Sequence, residues 1–410
     1  MSNAVSFLKY GDVAEFRNGL NFSKDSHGKG CKFISVADFK DNFSPQWELL
    51  GEINPSRVAR KEDYLESGDI IFVRSNGNKS LVGRSLYIDR NEKSLYSGFC
   101  IRARLKKDDF LPLFLAYYTR TNFFKSAITS VAGTNINNLN QDILSNVMIP
   151  HYSIEIQKSI VDVLSSIDEK IAINNRINAE LEAIAKTLYD YWFVQFDFPD
   201  ANGKPYKTSG GKMEYNAMLK REIPAGWAVN TLSQIANITM GQSPAGESYN
   251  EDRIGTLFFQ GSTDFGWLFP TPRQYTTSPA RMAKKGDILL SVRAPVGDMN
   301  IANADCCIGR GLAALNSKSR SDGFLFYVMK YFKQVFYRRN AEGTTFGSMT
   351  KDDLHSLQVV CPEPGLLKRY DDIVSEYNKM IFTRSLENQD LIKLRDWLLP
   401  LLMNGQVTLK

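Results

Sequence analysis

Two apolar runs in this chain open on Gly-Asp-Ile and close on Val-Arg: GDIIFVRSNG from Gly68 and GDILLSVRAP from Gly286, 218 positions apart. A short unbroken apolar run, with a glycine turn before it and polar loop residues after it, predicts a buried strand. Other stretches repeat as well. YGDVAEFRNG from Tyr10 aligns with LSQIANITMG from Leu232, which sets Val13 and Ala14 over Ile235 and Ala236, and Gly19 over Gly241. VAGTNINNLNQD from Val131 resembles AEGTTFGSMTKD from Ala341, and each leads into an apolar run ending in proline, at Pro150 and Pro362. Four landmarks in one order predict duplication of about half the chain.

After each proline the apolar period lengthens from 2 to roughly 3.5. Ile160, Leu164, Ile167, Ile171, Leu181 and Leu188 form one helical seam, and Tyr370, Val374, Tyr377, Ile381, Leu391 and Leu398 form another. Both are interrupted at matching places, by Asn174 and Asn178 and by Arg384 and Asn388. Polar residues inside a seam cost stability and fix register and partner, so the two helices are expected to pack on each other. A 39-residue helix over 154–192 would be a rod of about 58 Å. That is long for a helix covered by its own domain alone, and an antiparallel pair would carry the two units to opposite ends. Gly365 is expected to delay the second helix. The stretch 196–227, dense in Pro, Gly, Lys and Ser, reads as a connection outside any core.

At 410 residues the chain fits two or three domains, and 43% hydrophobic with 23% charged residues is ordinary for a globular protein. It has no run of eighteen apolar residues and no charged-then-apolar leader, so a cytoplasmic protein with no membrane partner is expected. Five cysteines without C-x-x-C spacing and three histidines make a metal site improbable and suit a reducing compartment. No phosphate loop, dinucleotide fingerprint, zinc-protease motif or nucleophile elbow occurs. Asp168-Glu169-Lys170 reads as solvated helix surface. We therefore expect a non-catalytic chain that binds no metal or cofactor of its own. A net charge of +5 permits a polyanionic partner without requiring one.

The loops leaving the strands are richer. Arg, Lys, Asn, Gln, Ser and Thr contact phosphates and read base edges, Arg pairing with guanine and Asn or Gln with adenine. Candidates in the first half are Arg17, Asn18, Asn21, Arg74, Asn76, Lys79, Arg84, Thr134, Asn135 and Asn137. In the second half they are Gln242, Ser243, Gln260, Ser262, Thr263, Arg293, Thr344, Thr345 and Ser348. Turn chemistry accounts for many single Asn, Gly and Ser residues. The recurrence of such clusters in both halves, beside an arginine taken to be in register, favours two related but different reading heads. On duplex DNA a spacer of about 58 Å would bound the two heads to within about seventeen base pairs.

Taken together, the two GDI starts, IEIQKSIVDVLSSIDEKI from Ile154, GKPYKTSGGKMEYN from Gly203 and REIPAGW from Arg221 resemble the specificity subunit of type I restriction-modification systems over essentially the whole chain. The resemblance implies a mixed α+β or α/β fold: two target recognition domains separated by two long helices that form an antiparallel coiled coil. The corresponding segments would be residues 1–151, a helix over 152–195, a linker over 196–223, a second domain over 224–362 and a second helix over 363–410. It also implies double-stranded DNA, two modification (methyltransferase) subunits and restriction (translocase and nuclease) subunits as partners. S-adenosylmethionine, ATP and Mg would be bound on those partners. The alternative from the residues alone is a two-headed protein-interaction adaptor with a coiled-coil spacer.

Overall fold

Both Gly-Asp-Ile motifs are turns that launch a strand. Gly68 and Gly286 adopt φ of 94° and 97°, the left-handed region that a Cβ disfavours. The following aspartate locks the turn. Asp69 donates its N–H to the Glu66 carbonyl and accepts the Glu66 N–H on Oδ2 at 2.8 Å; Asp287 makes the same pair of bonds with Lys284, also 2.8 Å at the carboxylate. Each aspartate then holds the neighbouring strand, Asp69 through Arg104 at 2.7 and 2.8 Å and Asp287 through Asn316 at 2.9 Å. The motif is thus scaffold, and the strands it launches are buried throughout.

The computed structural model describes all residues except 1–5, 41, 56–57, 133–137, 342–347 and 408–410. It divides into one unit of Met1–Ile171 with Asp390–Lys410 and another of Ala172–Gln389. In the first unit a four-stranded antiparallel sheet runs in the order Ala14–Asn18, Cys100–Leu105, Ile70–Val73, Ser85–Tyr87. A three-stranded sheet orders Glu52–Ile53, His27–Ile34 and Ser94–Tyr96 beside it, and Ser6–Lys9 pairs with Met148–His151 to close the domain. In the second unit Ala236–Met240, Leu312–Ser317, Ile288–Ser291 and Met299–Ile301 take the same order. Ala228–Thr231 pairs with Gln358–Cys361 to close this domain in the same way. The duplication extends to single bonds: Gly19 N–H donates to Cys100 O and Gly241 N–H to Leu312 O. A Cβ on either glycine would stand 2.2 Å from a carbonyl oxygen, so only glycine fits there.

The long helices are Ile154–Tyr189, extended by a π-turn over Asp190–Val194, and Pro364–Met403. Gly365 does not delay the second helix. Pro364 begins it, because proline at the first helical position is preset to the right φ and lacks only an N–H that would go unused. Within the second unit the helices run antiparallel: Asn174 bonds Asn388 at 2.8 Å, Asn178 bonds Ser385 at 3.3 Å, and Tyr370 OH donates to Ala185 O at 3.4 Å. Within the first unit Tyr152 OH reaches Met403 O at 3.2 Å and Arg395 reaches Asp168 at 2.8 Å, again in falling order. Arg384 is not in the seam. It bonds the Met380 carbonyl on the exposed side while Ser385 takes the buried place.

Two other expectations also change. Asp168 is not free surface: Tyr117 OH donates to it at 2.7 Å and Arg395 pairs with it. The stretch 196–227 carries core, since Phe196 and Phe198 are buried and Phe198 stacks on Tyr206 and Trp227 at 4.6 and 5.0 Å. Its glycine and lysine content masked the cluster of Phe196, Phe198, Tyr206 and Trp227 and a hairpin of Met213–Asn216 with Arg221–Pro224. Among the described residues the five cysteines are free thiols, four of them buried. No helix among those residues is long and apolar enough to cross a membrane.

Candidate nucleic-acid interface

The arginines that end the two strands are not in register. Leu139 N–H donates to Arg74 O, whereas Met349 N–H donates to Val292 O, so Val292 is the counterpart of Arg74 and Arg293 lies one residue further on. With side chains alternating along an extended chain, one residue changes the face presented. Arg74 is half-buried and Arg293 is exposed. Neither guanidinium has a side-chain partner among the described residues, so both cations remain available to a ligand. Arg293 is tied only through its backbone, by a bridge to Ser348 and by Ser291 Oγ donating to its carbonyl at 2.8 Å.

In the first unit several candidates are already engaged. Arg17 forms an ion pair with the buried carboxylate of Asp63 at 2.7 Å. Asn76 accepts the Asn78 N–H at 2.8 Å and shapes its own loop. Asn18 and Asn21 are exposed at the end of the first sheet strand. Lys79 and Arg84 do come together, lining a hollow of about 390 Å³ with Lys40, Arg120 and Lys125. Arg84 and Arg120 hold the rim by donating to the Lys40 and Asn42 carbonyls. In the second unit the place of Arg84 is taken by Asp298. Arg84 O accepts the Val73 N–H as Asp298 O accepts the Ser291 N–H, and Asp298 pairs with Lys333 at 2.7 Å. Thr134, Asn135 and Asn137 lie outside the described residues.

In the second unit Ser243 and Gln260 form a pair, Gln260 Nε2 donating to Ser243 Oγ at 2.8 Å. Gln242 is exposed next to them, Ser262 lies 3.4 Å from Ser291 Oγ, and Thr263 is exposed. Thr344 and Thr345 lie outside the described residues. Arg310 was missed from sequence. Its N–H donates to Ser243 Oγ, its side chain is exposed, and Gly309 and Gly311 flank it because a Cβ at either would press on Gln260. The GRG triplet was the available signal. The corresponding turn of the first unit carries Phe99, 57% exposed, where an apolar residue after glycine gave no polar cue. Phe99 corresponds to Gly311, since Arg74 N–H donates to Phe99 O as Val292 N–H donates to Gly311 O, and Arg310 corresponds to Gly98, so one turn presents a ring and the other, one residue earlier, a cation.

The model of the type I restriction modification DNA specificity domain matches residues 4–183 and 224–365, the two duplicated halves. The chain belongs to this family. It is similar to the MjaX specificity subunit assigned to a type I restriction enzyme of Methanocaldococcus jannaschii, with 29% identity over 97% of this chain and 92% of that one. It is similar also to the HindI specificity subunit of Haemophilus influenzae, with 23% identity over 92% of this chain and 94% of the relative. Among solved structures, the type I restriction-modification S subunit from M. genitalium matches 98% of this chain and 97% of its own at a TM-score of 0.56 and 15% identity, which speaks to the fold. Membership in the specificity family makes recognition of DNA sequence the role of this chain. Specificity subunits are non-catalytic.

Proposed function

We propose that each duplicated domain reads one half of a bipartite, asymmetric site in double-stranded DNA. The observation that carries this reading is the pairing of one scaffold with unlike tips: the four-stranded sheets share their order and the turn bonds match, but the turns carry Gly98-Phe99 against Arg310-Gly311 and Arg84 against Asp298, and the second sheet has three strands in one unit and five in the other. Identical heads would read identical half-sites; heads that share a sheet but differ at their tips read different ones. Lys79, Arg74, Arg293 and Arg310 supply phosphate contacts that set position, and Asn18, Asn21, Gln242 and the Ser243–Gln260 pair supply base contacts. The helix pair fixes the distance between half-sites, with Asn174, Asn178, Ser385 and Asn388 setting its register. It also docks two modification subunits, to which restriction subunits add. S-adenosylmethionine, ATP and Mg belong to those partners, and this chain positions their chemistry.

The test is to assemble the chain with its modification subunit and map methylated adenines across a genome. Two unlike half-sites separated by a constant gap are expected. A contiguous or palindromic motif would overturn the bipartite reading, and methylation indifferent to sequence would return the chain to an adaptor role.

A further inference from the structure

The duplication leaves a hole in one unit that the other fills from its own chain. Phe114-Leu115-Ala116-Tyr117 and Phe324-Leu325-Phe326-Tyr327 are matching helical stretches, each packed on the long helices of its own unit. In the first unit Phe43 lies over this stretch. Its carbonyl accepts the Tyr87 N–H at 2.8 Å, and its ring packs on Tyr117 at 4.8 Å and on Tyr87 at 5.9 Å. The Arg120 guanidinium lies 5.6 Å from the same ring. Tyr117 OH is satisfied by Asp168, and about 440 Å³ of hollow remains beside it.

The second unit keeps the backbone of this arrangement and lacks the ring. Leu268 O accepts the N–H of Ile301, the counterpart of Tyr87, at 2.8 Å. Leucine replaces phenylalanine, and the hollow grows to about 830 Å³ between apolar walls that include Ile288, Met299, Phe326 and Phe382. Asn378 stands where Asp168 stands, 51 positions after the tyrosine in both copies. Two residues of the lining carry a buried polar atom: Tyr327 OH, on a residue 1% exposed, and Asp371 Oδ1 have no hydrogen-bond partner among the described residues. A buried polar atom without a partner costs about 1–3 kcal/mol, a cost that an occupant carrying the right group removes. Trp267, 55% exposed, lines the same hollow.

We propose that this groove receives an aromatic side chain from the modification subunit that docks on the second unit, with a hydrogen-bonding group beside the ring that meets Tyr327 OH and Asp371 Oδ1. The inference rests on the docking reading above and deepens it. The first unit supplies the template, because there the occupant is a ring carried on a peptide. A free ligand would also fit a groove of this size, and the test separates the two. One consequence is that two copies of the same modification subunit dock unequally, with an insertion at the second unit and a shallower contact at the first.

The experiment uses the full chain and its purified modification subunit, with association steps resolved by calorimetry and stoichiometry by native mass spectrometry. Leu268→Phe closes the groove as Phe43 closes its counterpart. One of the two steps is expected to weaken by roughly tenfold or more while the other is unchanged, as for loss of a buried aromatic anchor. Two unchanged steps would overturn the proposal. If that variant melts earlier than the parent, Tyr327→Phe, which removes only the stranded hydroxyl, takes its place with the same selective loss expected and the same refuting result. A photoreactive benzoylphenylalanine at Trp267 is expected to cross-link the modification subunit. Cross-links only to a second copy of this chain, or none in an assembled complex, would refute the assignment. A parent chain that takes up no modification subunit would remove the docking reading itself, whereas a parent that takes up two, with variants that do likewise, removes the groove alone.

Discussion

Asn174→Ala is the sharpest test of the helix seam. Asn174 Nδ2 donates to Asn388 Oδ1 and to Glu387 Oε2, both at 2.8 Å, while Asn388 Nδ2 donates onward to Asn175 Oδ1 at 2.8 Å. The Asn174 and Asn388 side chains are buried and the acceptor on Glu387 is exposed, so the Asn388 bond dominates. Losing it forfeits about 1 kcal/mol and strands Asn388 Oδ1 for about 1–2 kcal/mol more, so the truncation costs about 2–3 kcal/mol of local stability. Asn174→Leu with Asn388→Leu removes both polar groups and adds apolar burial, so stability should return to the parent level or exceed it. Because a chain of two units need not unfold in one step, hydrogen exchange of peptides spanning 172–181 and 380–389 is the proper assay. Protection there should fall in the single variant and recover in the double. The double variant should also blur the spacing between methylated half-sites, since an all-apolar seam no longer discriminates between registers. A single variant losing less than about 0.5 kcal/mol would refute the network as an energetic unit.

Three further outcomes are expected. Gly286→Ala should cost about 1–2 kcal/mol from its left-handed backbone, and Gly241→Ala more than that, because its Cβ would meet the Gly309 carbonyl oxygen at 2.2 Å; urea midpoints rank them, and the reverse order would contradict the close approach. Burial raises the Asp371 pKa, and the Phe324 amide only partly offsets it; a carboxyl raised in the folded state favours folding below its ordinary range and loses that contribution as pH rises through the raised value. Asp371→Asn should therefore raise the melting temperature at pH 7, with the gain disappearing in acid, and a gain independent of pH would exclude ionisation as the cause. Phe99→Ala and Arg310→Ala should each relax one half-site only, with Arg310→Ala alone also lowering the salt dependence of binding; equal loss at both half-sites would mean a scaffold role.

What the sequence disclosed follows from what repetition constrains. The duplicated turns, the closing strand pairs and the helix seams were legible because burial repeats at fixed period, and because Gly68 and Gly286 occupy backbone conformations that other residues resist. The candidate contact loops were only partly legible. Arg17 looks like a phosphate ligand in sequence, yet it pairs with Asp63, 46 positions on, which no local pattern reports. Arg74 and Arg293 looked equivalent because Val-Arg recurs, yet one additional residue in the second copy shifts the register. Phe99 and Arg310 escaped notice for a related reason: a turn tip carries no periodicity, and only the placement of Gln260 against two glycines shows why Arg310 is held outward.

Divergence between the copies is therefore informative about function in proportion to how well the scaffold is kept. Where backbone bonds match one for one, as at Tyr87–Phe43 and Ile301–Leu268, a changed side chain cannot be attributed to a changed path of the chain. Its effect must appear in what the surface or cavity can hold. Arg84 against Asp298 converts a basic hollow into an internal ion pair, and Phe43 against Leu268 converts a filled groove into an open one. The first exchange leaves a cation at that place in one unit, and the second leaves the larger room for an incoming ring in the other. On the proposed reading, two such opposite exchanges mean that neither ligand nor partners are held symmetrically, although the four-stranded sheet and its turns do repeat.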